Sequence, residues 1–415
     1  MNSNDKKIDS LPEDWKTIRL GDLAQIVRGV SYRSENYCSE REGFIFINLK
    51  CVGRNGGFRK DGIKYYKGNI KQNQFVSKGD ILIANTDLTQ NREVIGAPIE
   101  VPLLDKKACF SLDLTKLVTN SKIERRFLYY YLLSPSARNF MINNGNGTTV
   151  VHLAVSNIPN LLVPLPLLPE QRSIAKILSD LDSKIELNQK MNKTLEAIAQ
   201  AIFKHWFIDF EFPNEEGKPY RSSGGEMVDS ELGIIPKGWR VDNAVNLFKL
   251  EYGWHLPEWN RKNGNIPVFG SGGHVGFHDK LFVNGPGIII GRAGKIGNNS
   301  IYYSDVAFCP LETTYYVSVS NNKLIRYIYI MLRKVPMLNT GSSVPNLSRE
   351  SVHNTKIVIP KIELIEKFDD NIKQLFDLIE NNKNQSQILS DIRDLLIPKL
   401  MSGKIRVPLE DKDAQ

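Results

Sequence analysis

The residues whose spacing could support metal chemistry lie in a glycine-rich stretch. His274 and His278 are four positions apart, a spacing that holds zinc when both side chains lie on one helix face. Here they fall within or beside FGSGGHVGF, residues 269–277, and a third ligand is not evident. The glycines could imitate a cofactor loop, but the strand, helix and acidic residue of a dinucleotide site are missing. We therefore predict no metal site, and a tight turn that presents its backbone to a ligand.

Catalytic motifs are absent from the sequence. The NPPY- and PC-type motifs of adenine and cytosine methyltransferases do not occur, and there is no nuclease-like cluster of carboxylates. We therefore predict no catalytic residue, so that methylation or cleavage would need another chain.

Polar, aromatic and basic residues in turns beside apolar strands are the remaining candidates, and they suit DNA. Arg can recognise guanine and Asn or Gln adenine, whereas Lys and Ser commonly hold phosphate. The candidates in the first half are Arg28, Tyr32, Arg33, Lys50, Arg54, Asn85, Thr86, Gln90 and Arg92. Those in the second half are Tyr252, Trp254, Ser271, His274, Lys280, Arg292, Lys295, Asn298 and Thr313. Each could equally be a solvated surface side chain.

Two short loops add hydroxyl groups to these candidates. Gly147 precedes Thr148 and Thr149, and Gly341 precedes Ser342 and Ser343. Glycine beside small hydroxyl residues allows close approach to a phosphate. A purely structural turn explains the loops equally well.

An internal repeat must position all these residues. Residues 147–207 align without a gap against residues 341–401, at a constant offset of 194. Residues 11–16 match residues 235–240 at an offset of 224, and residues 126–133 match residues 326–333 at an offset of 200. The change of the offset from 224 to 200 to 194 places deletions in the loops of the second copy. Loops are where recognition residues differ while the scaffold is kept. A period near 200 indicates a duplicated domain rather than a solenoid.

Each copy ends in a predicted long helix. From residue 169 and again from residue 361, apolar residues recur at three- and four-residue steps, and the first helix would be about 55 Å long. Polar residues interrupt this apolar pattern at matching positions of the two helices. A polar residue in the seam, the line of contact between two helices, costs stability but fixes their register. Independent surface helices remain an alternative, but the matched interruptions favour antiparallel packing with the globular domains at opposite ends. The predicted pairing residues are Leu181, Ile185, Asn188, Leu195, Leu375, Ile379, Asn382 and Leu389.

Composition narrows the class of protein. The chain has 415 residues, 41% of them hydrophobic, and lacks the run of about 18 apolar residues that a membrane helix needs. The N-terminus resembles no secretion signal, and the four cysteines lack CxxC spacing, so we expect reduced thiols in a cytoplasmic protein. A net charge of +8 modestly favours a polyanionic partner.

Short strands are predicted in each globular half, at residues 44–49 and 79–84 in the first and 285–290 and 315–319 in the second. Residues 209–234 include the polar stretch PNEEGKPYRSSGGEM, which is typical of a linker. The fold predicted is α+β: two mixed domains separated by two long antiparallel helices in a pseudo-twofold duplication.

Several segments resemble one family along nearly the whole chain. LPLLPEQRSIAKILSDLDSKIELNQK, KHWFIDFEFP with its SSGGEM linker, IPKGW, IPVFGSGGHVGFHDK, GPGIIIGRAGKIG and LMSGKIRV are similar to the specificity subunit of type I restriction-modification systems. The resemblance implies target-recognition domains at residues 1–168 and 235–360, helices at 169–208 and 361–403, a linker at 209–234 and a tail at 404–415. Each domain would recognise one half of a split double-stranded DNA site.

The resemblance also implies partners. The helices would dock two modification subunits that methylate adenine, and restriction subunits would join them. S-adenosylmethionine, ATP and Mg²⁺ would then bind those subunits and not this chain. An alternative is an interaction scaffold or antirestriction decoy whose DNA domains no longer function, and a second is a fused enzyme, which the missing motifs disfavour.

Overall fold

A computed structural model of the chain describes residues 11–89, 91–292, 300–334 and 347–408. It forms two compact units. Unit 1 contains the described residues up to Glu186 and those from Gln385 onward, and unit 2 contains Leu187–Asn384. Each long helix crosses from one unit to the other, so each unit holds half of both.

Unit 1 consists of short strands and two short helices that precede the first long helix. The strands are β1 (Lys16–Arg19), β2 (Ala24–Arg28), β3 (Phe44–Ile47), β4 (Lys64–Tyr66), β5 (Phe75–Val76), β6 (Ile81–Ala84), β7 (Thr86–Asp87), β8 (Pro98–Glu100), β9 (Ala108–Phe110), β10 (Leu114–Thr119), β11 (Gly145–Asn146), β12 (Val151–Leu153) and β13 (Leu162–Leu165). The helices are α1 (Arg125–Leu133), α2 (Pro135–Asn143) and α3 (Leu168–Phe203).

Two sheets form the centre of unit 1, in the orders β2-β10-β6-β8 and β4-β3-β9-β5. The strand β6 is apolar at every position and fully buried, because one face meets α1 and the other meets the second sheet. Ser134 ends α1 and also caps α2, where its hydroxyl accepts the Ala137 N–H and Pro135 occupies the first turn.

Unit 2 repeats this plan with fewer elements. Its strands are β14 (Met227–Val228), β15 (Ile235–Pro236), β16 (Arg240–Asn243), β17 (Lys249–Tyr252), β18 (Ile266–Gly270), β19 (Gly273–His278), β20 (Gly287–Gly291), β21 (Ile301–Ser304), β22 (Cys309–Pro310), β23 (Thr314–Ser318) and β24 (Lys356–Ile359). Its helices are α4 (Ile325–Leu332), α5 (Arg349–His353) and α6 (Ile362–Met401). The sheets have the orders β17-β23-β20-β21 and β19-β18-β22.

The long helices pack antiparallel within each unit. In unit 1, Arg393 of α6 donates to Asp182 of α3 at 2.6 Å, and Tyr130 of α1 donates to the other oxygen of Asp182 at 2.7 Å. In unit 2, Asn382 donates to Asn192 at 2.9 Å. The predicted α+β fold with two long antiparallel helices is thus confirmed.

The stretch predicted as a linker is folded into unit 2. Phe212 stacks on Tyr220 at 4.6 Å and on Trp239 at 5.4 Å, measured between ring centroids. The strand β14 pairs with β15 and closes this stretch into a compact loop. Its polar residues add hydrogen bonds to this aromatic packing, among them the Ser222 N–H to Glu211 at 3.1 Å and Lys237 to Glu226 at 2.7 Å.

Three of the four cysteines, Cys51, Cys109 and Cys309, are buried, and Cys38 is half-buried; all four are free thiols. Burial raises the pKa of Cys51 and of Cys309 to about 11. Among the described residues, none of the helices combines the length and apolar character needed to cross a membrane.

Candidate nucleic-acid interface

The ends of several strands meet at one edge of unit 1. The strands β2 and β6 point the same way because both pair antiparallel with β10, and β3 runs parallel to β9. Just beyond β2, Val30 forms a parallel bridge with Ser111, the residue after β9. Strand ends at a shared edge bring turns from distant parts of the chain together.

The same edge exists in unit 2. The strands β17 and β20 both pair antiparallel with β23, and β18 runs parallel to β22. Trp254, two residues beyond β17, forms a parallel bridge with Leu311. Gly253 beside it approaches the backbone so closely that a Cβ would lie 2.1 Å from the Leu311 oxygen. Gly29 is as close to Ser111 in unit 1, so glycine is required at both crossings.

Matching backbone hydrogen bonds make Asn85 and Arg292 equivalent. The Asn85 N–H donates to Asp113 at 2.7 Å, and the Arg292 N–H donates to Thr313 at 3.0 Å. The carbonyl of Asn85 then accepts from Leu153, and that of Arg292 accepts from Leu347. The two edges share a backbone scaffold but carry unlike side chains.

The predicted contact residues of unit 1 differ in exposure. Asn85 and Thr86 are buried, and the Asn85 amide donates to the Leu112 carbonyl at 3.1 Å. Tyr32 and Arg92 are half-buried, and Gln90 lies outside the described residues. The exposed candidates are Arg28, Arg33, Lys50, Arg54, Thr148 and Thr149.

Several of these side chains have partners within unit 1. The Tyr32 hydroxyl donates to Asp113 at 3.0 Å, and burial together with that carboxylate raises the pKa of Tyr32 to about 12. Arg92 has a positive φ of 55° and donates to the carbonyls of Ile142 and Gly145 at 3.3 and 3.5 Å. It therefore holds the loop together, while Arg28 and Lys50 are left to face solvent.

In unit 2, the edge brings together four predicted residues. The Arg292 guanidinium lies 5.1 Å from the centroid of the Tyr252 ring. Ser271 donates its hydroxyl to the Thr313 carbonyl, which also accepts the Arg292 N–H. These contacts join the ends of β17, β18 and β20 to the residue that precedes β23.

The other candidates of unit 2 lie around this group or outside the described residues. Trp254 is exposed and stacks on Tyr316 at 5.5 Å. His274 and Lys280 are also exposed, and partial burial lowers the pKa of His274. His278 is buried and accepts the Lys262 N–H at 3.1 Å, so it holds a turn. Lys295, Asn298, Ser342 and Ser343 lie outside the described residues.

The predicted pairing residues differ in burial. Asn188 and Ile379 are buried. The remaining six are half-buried, namely Leu181, Ile185, Leu195, Leu375, Asn382 and Leu389.

The structure adds a residue that the sequence did not single out. Arg349, the first residue of α5, places its guanidinium 4.9 Å from the centroid of Tyr252. The signal for it was indirect: Leu347 is the repeat partner of Leu153, which places the next residues beside the end of β20. In the part of the chain that the structure describes, no group of three or more His, Cys, Asp or Glu side chains is arranged to hold a metal ion.

Comparison with known proteins supplies a family. Residues 12–197 and 236–390 match the family described as the type I restriction modification DNA specificity domain. The chain is 26% identical to the type I restriction enzyme MjaIX specificity subunit of Methanocaldococcus jannaschii, over 96% of this chain and 95% of that protein. It is 22% identical to the HindI specificity subunit of Haemophilus influenzae, over 94% of this chain and 100% of that protein.

A solved structure shows a similar fold. The crystal structure of a type I restriction-modification system S subunit from M. genitalium has a TM-score of 0.55 and 18% sequence identity to this chain. The similarity covers 96% of this chain and 98% of that one.

Proposed function

This chain belongs to the family of type I restriction modification DNA specificity domains, and we propose that it recognises a split DNA site with one half read by each unit. It is a specificity subunit and is itself non-catalytic. The observation that carries the proposal is the sheet edge at which several strand ends meet, which occurs in both units. The backbone hydrogen bonds of this edge match between the units, but the equivalent position holds Asn85 in unit 1 and Arg292 in unit 2. One scaffold with unlike side chains suits two unlike half-sites.

The chemistry of the edge supports DNA as the ligand. Arg28, Lys50 and Arg54 are exposed in unit 1 and Arg292 is half-buried in unit 2, and such cations both neutralise phosphates and recognise guanine. The exposed Arg54 forms an ion pair with the half-buried Glu93 at 3.4 Å, a weak pair that DNA can replace.

The partners follow from the family. We propose that α3 and α6 dock two modification subunits that methylate adenine, and that restriction subunits join the complex in the cytoplasm. S-adenosylmethionine, ATP and Mg²⁺ would be bound by those subunits. Exposed apolar side chains on these helices support this role, because such side chains favour contact with another protein. They are Leu187, Ile388 and Leu395.

Coexpression with its modification subunits tests the proposal. We expect sequencing of methylated adenines in host DNA to reveal one split motif, with one methylated adenine in each half, and expect the motif to vanish when this chain is omitted. The purified chain incubated alone with labelled S-adenosylmethionine and DNA should transfer no label. Methylation by the chain alone would indicate a fused enzyme, and a complex that assembles without binding DNA would indicate a scaffold or decoy.

A further inference from the structure

Two arginines share one aromatic ring at the edge of unit 2. The guanidinium carbon of Arg292 lies 5.1 Å from the centroid of the Tyr252 ring, and that of Arg349 lies 4.9 Å from the same centroid. The two guanidinium groups are therefore within about 10 Å of each other. Tyr252 itself is 47% exposed. Arg292 and Arg349 are both half-buried, so part of each side chain faces solvent.

Neither arginine has its charge neutralised. Among the described residues, no carboxylate forms an ion pair with Arg292 or Arg349. The Nε of Arg292 is buried and has no hydrogen-bond partner among the described atoms. An attraction to the face of Tyr252 fixes each group but consumes none of its N–H donors. Arg292 also donates a side-chain hydrogen bond to the Tyr315 hydroxyl. Arg349 and the rest of the Arg292 guanidinium keep donors for an anion, so the two neighbouring cations form a receptor for one.

Backbone contacts hold the pair in place. Arg292 is fixed at the end of β20 by its N–H to Thr313 and its carbonyl to Leu347. Arg349 begins α5, which is capped by the Ser348 hydroxyl accepting the Ser351 N–H at 3.3 Å. Tyr315, opposite Tyr252 in the sheet, donates to the Leu347 carbonyl at 3.1 Å. A receptor built on strand ends and a capped helix is preorganised.

We infer that Arg292 and Arg349 hold the DNA backbone at the second half-site, each on a phosphate, with Tyr252 as their common support. This rests on the proposed function of the edge. The guanidinium groups of Arg292 and Arg349 lie over the Tyr252 ring, 5.1 and 4.9 Å from its centroid, so a base that stacked there would have to displace one of them. The arginines therefore anchor the duplex and set its register, and they carry no base preference of their own.

The first unit lacks this anchor. Arg28 of unit 1 is equivalent to Tyr252 of unit 2. Tyr252 pairs with Tyr315 on β23, and Arg28 pairs with Thr115 at the matching position of β10. Asn85 replaces Arg292, and Val155 replaces Arg349 at the repeat offset of 194. The two half-sites are thus held by different electrostatic contacts, and the arginine pair belongs to the second alone.

The test is a salt titration of the assembled methyltransferase on its cognate duplex. For Arg349→Ala we expect about tenfold weaker binding and a plot of log affinity against log salt that is shallower by about 0.9, the value for one lost phosphate contact. Arg292→Ala should do the same, and the double variant should lower the slope by about twice as much. Arg349→Lys should keep most of the slope because it keeps the charge. The methylated motif should be unchanged in every variant.

The matched control is Arg240→Ala on β16, which removes an exposed arginine whose partner is Asp242 at 3.6 Å. It should alter neither affinity nor slope. An unchanged slope in Arg349→Ala, or relaxed preference at one base of the second half-site, would overturn the phosphate assignment. If the unaltered complex methylates no split motif, the proposed function fails instead, and thermal unfolding of each variant separates misfolding from lost contact.

Discussion

The side-chain amide of Asn188 in α3 donates to the backbone carbonyl of Asn382 in α6 at 3.4 Å. These residues are 194 positions apart, which is the offset of the sequence repeat. The contact between the two helices in unit 2 therefore contains equivalent asparagines of the two copies, beside the 2.9 Å bond from Asn382 to Asn192.

This asparagine pair should behave as a coupled unit. Replacing either Asn192 or Asn382 with Leu should lower the free energy of unfolding by about 1 kcal/mol, because the partner loses a hydrogen bond inside the seam. The double replacement should cost less than the sum of the two single changes, since neither side chain then leaves the other with an unsatisfied polar group. Urea unfolding measures all three. Met191→Leu, on the exposed face beside them, is the control, and strict additivity would contradict the coupling.

Much of the scaffold follows from local sequence. The segment at residues 79–84 predicts a strand, and β6 occupies Ile81–Ala84 there, with all four residues buried. The heptad pattern predicts two long helices, and α3 and α6 cover Leu168–Phe203 and Ile362–Met401. These elements follow because spacing alone decides which face is buried.

The details of the candidate interface depend on tertiary contacts. Asn85 is polar and follows a strand, so a solvent-facing contact is a natural expectation, but its burial depends on the Leu112 carbonyl 27 positions away. Arg92 folds back on Ile142 and Gly145 for the same reason. Arg349 was missed because only pairing of distant segments brings α5 beside Tyr252. DNA contact by each remains a prediction.

Asp87 should be essential to the loop that carries Arg92. It is fully buried and accepts the N–H groups of Thr89, Val94 and Ile95 at 2.6 to 2.7 Å. Burial would raise the pKa of Asp87, but these backbone hydrogen bonds outweigh it and lower the pKa. Asp87→Asn should reduce the free energy of unfolding by about 2 kcal/mol, because an amide cannot accept all three.

Thermal unfolding and methylation measure the effect. We expect weaker methylation of the motif with the second half-site unchanged in sequence. The exposed Asp105→Asn serves as control. A variant with unaltered melting temperature would show that the loop does not depend on this carboxylate.

Arg406 should make unit 1 sensitive to acid. It donates to Asp14 at 2.7 Å and to Glu170 at 2.7 Å, and hydrogen bonding to Arg406 lowers the pKa of Asp14. A carboxyl whose folded pKa is depressed stabilises the fold above its unfolded pKa and ceases to do so as pH falls through the folded value. Arg406→Ala should therefore lower the melting temperature at pH 7, and the difference from wild type should shrink below about pH 4. A difference that is constant from pH 7 to pH 3 would exclude this origin.

Exchange of one recognition domain should change one half of the motif. Replacing residues 11–166 with the corresponding segment of another family member should give a new first half-site and leave the second untouched, because the strand-end edge of each unit is built from its own residues. Sequencing of methylated adenines from cells that coexpress the modification subunits measures both halves. The reciprocal exchange of residues 235–360 is the control, and a change in both halves at once would contradict independent recognition.

The long helices should set the spacer between the half-sites. Inserting four residues beside Asn188 in α3 and four beside Asn382 in α6 lengthens each helix by about 6 Å, close to the rise of two base pairs. Four residues also advance a helix by little more than one turn, so the buried seam keeps its facing. The methylated motif should therefore retain both half-sites and gain about two base pairs between them. The same four residues inserted after Gly217, in an exposed turn where a Cβ would meet no atom within 4 Å, should leave the spacer unchanged. An unchanged number of base pairs between the half-sites would mean that the helices do not set the spacer.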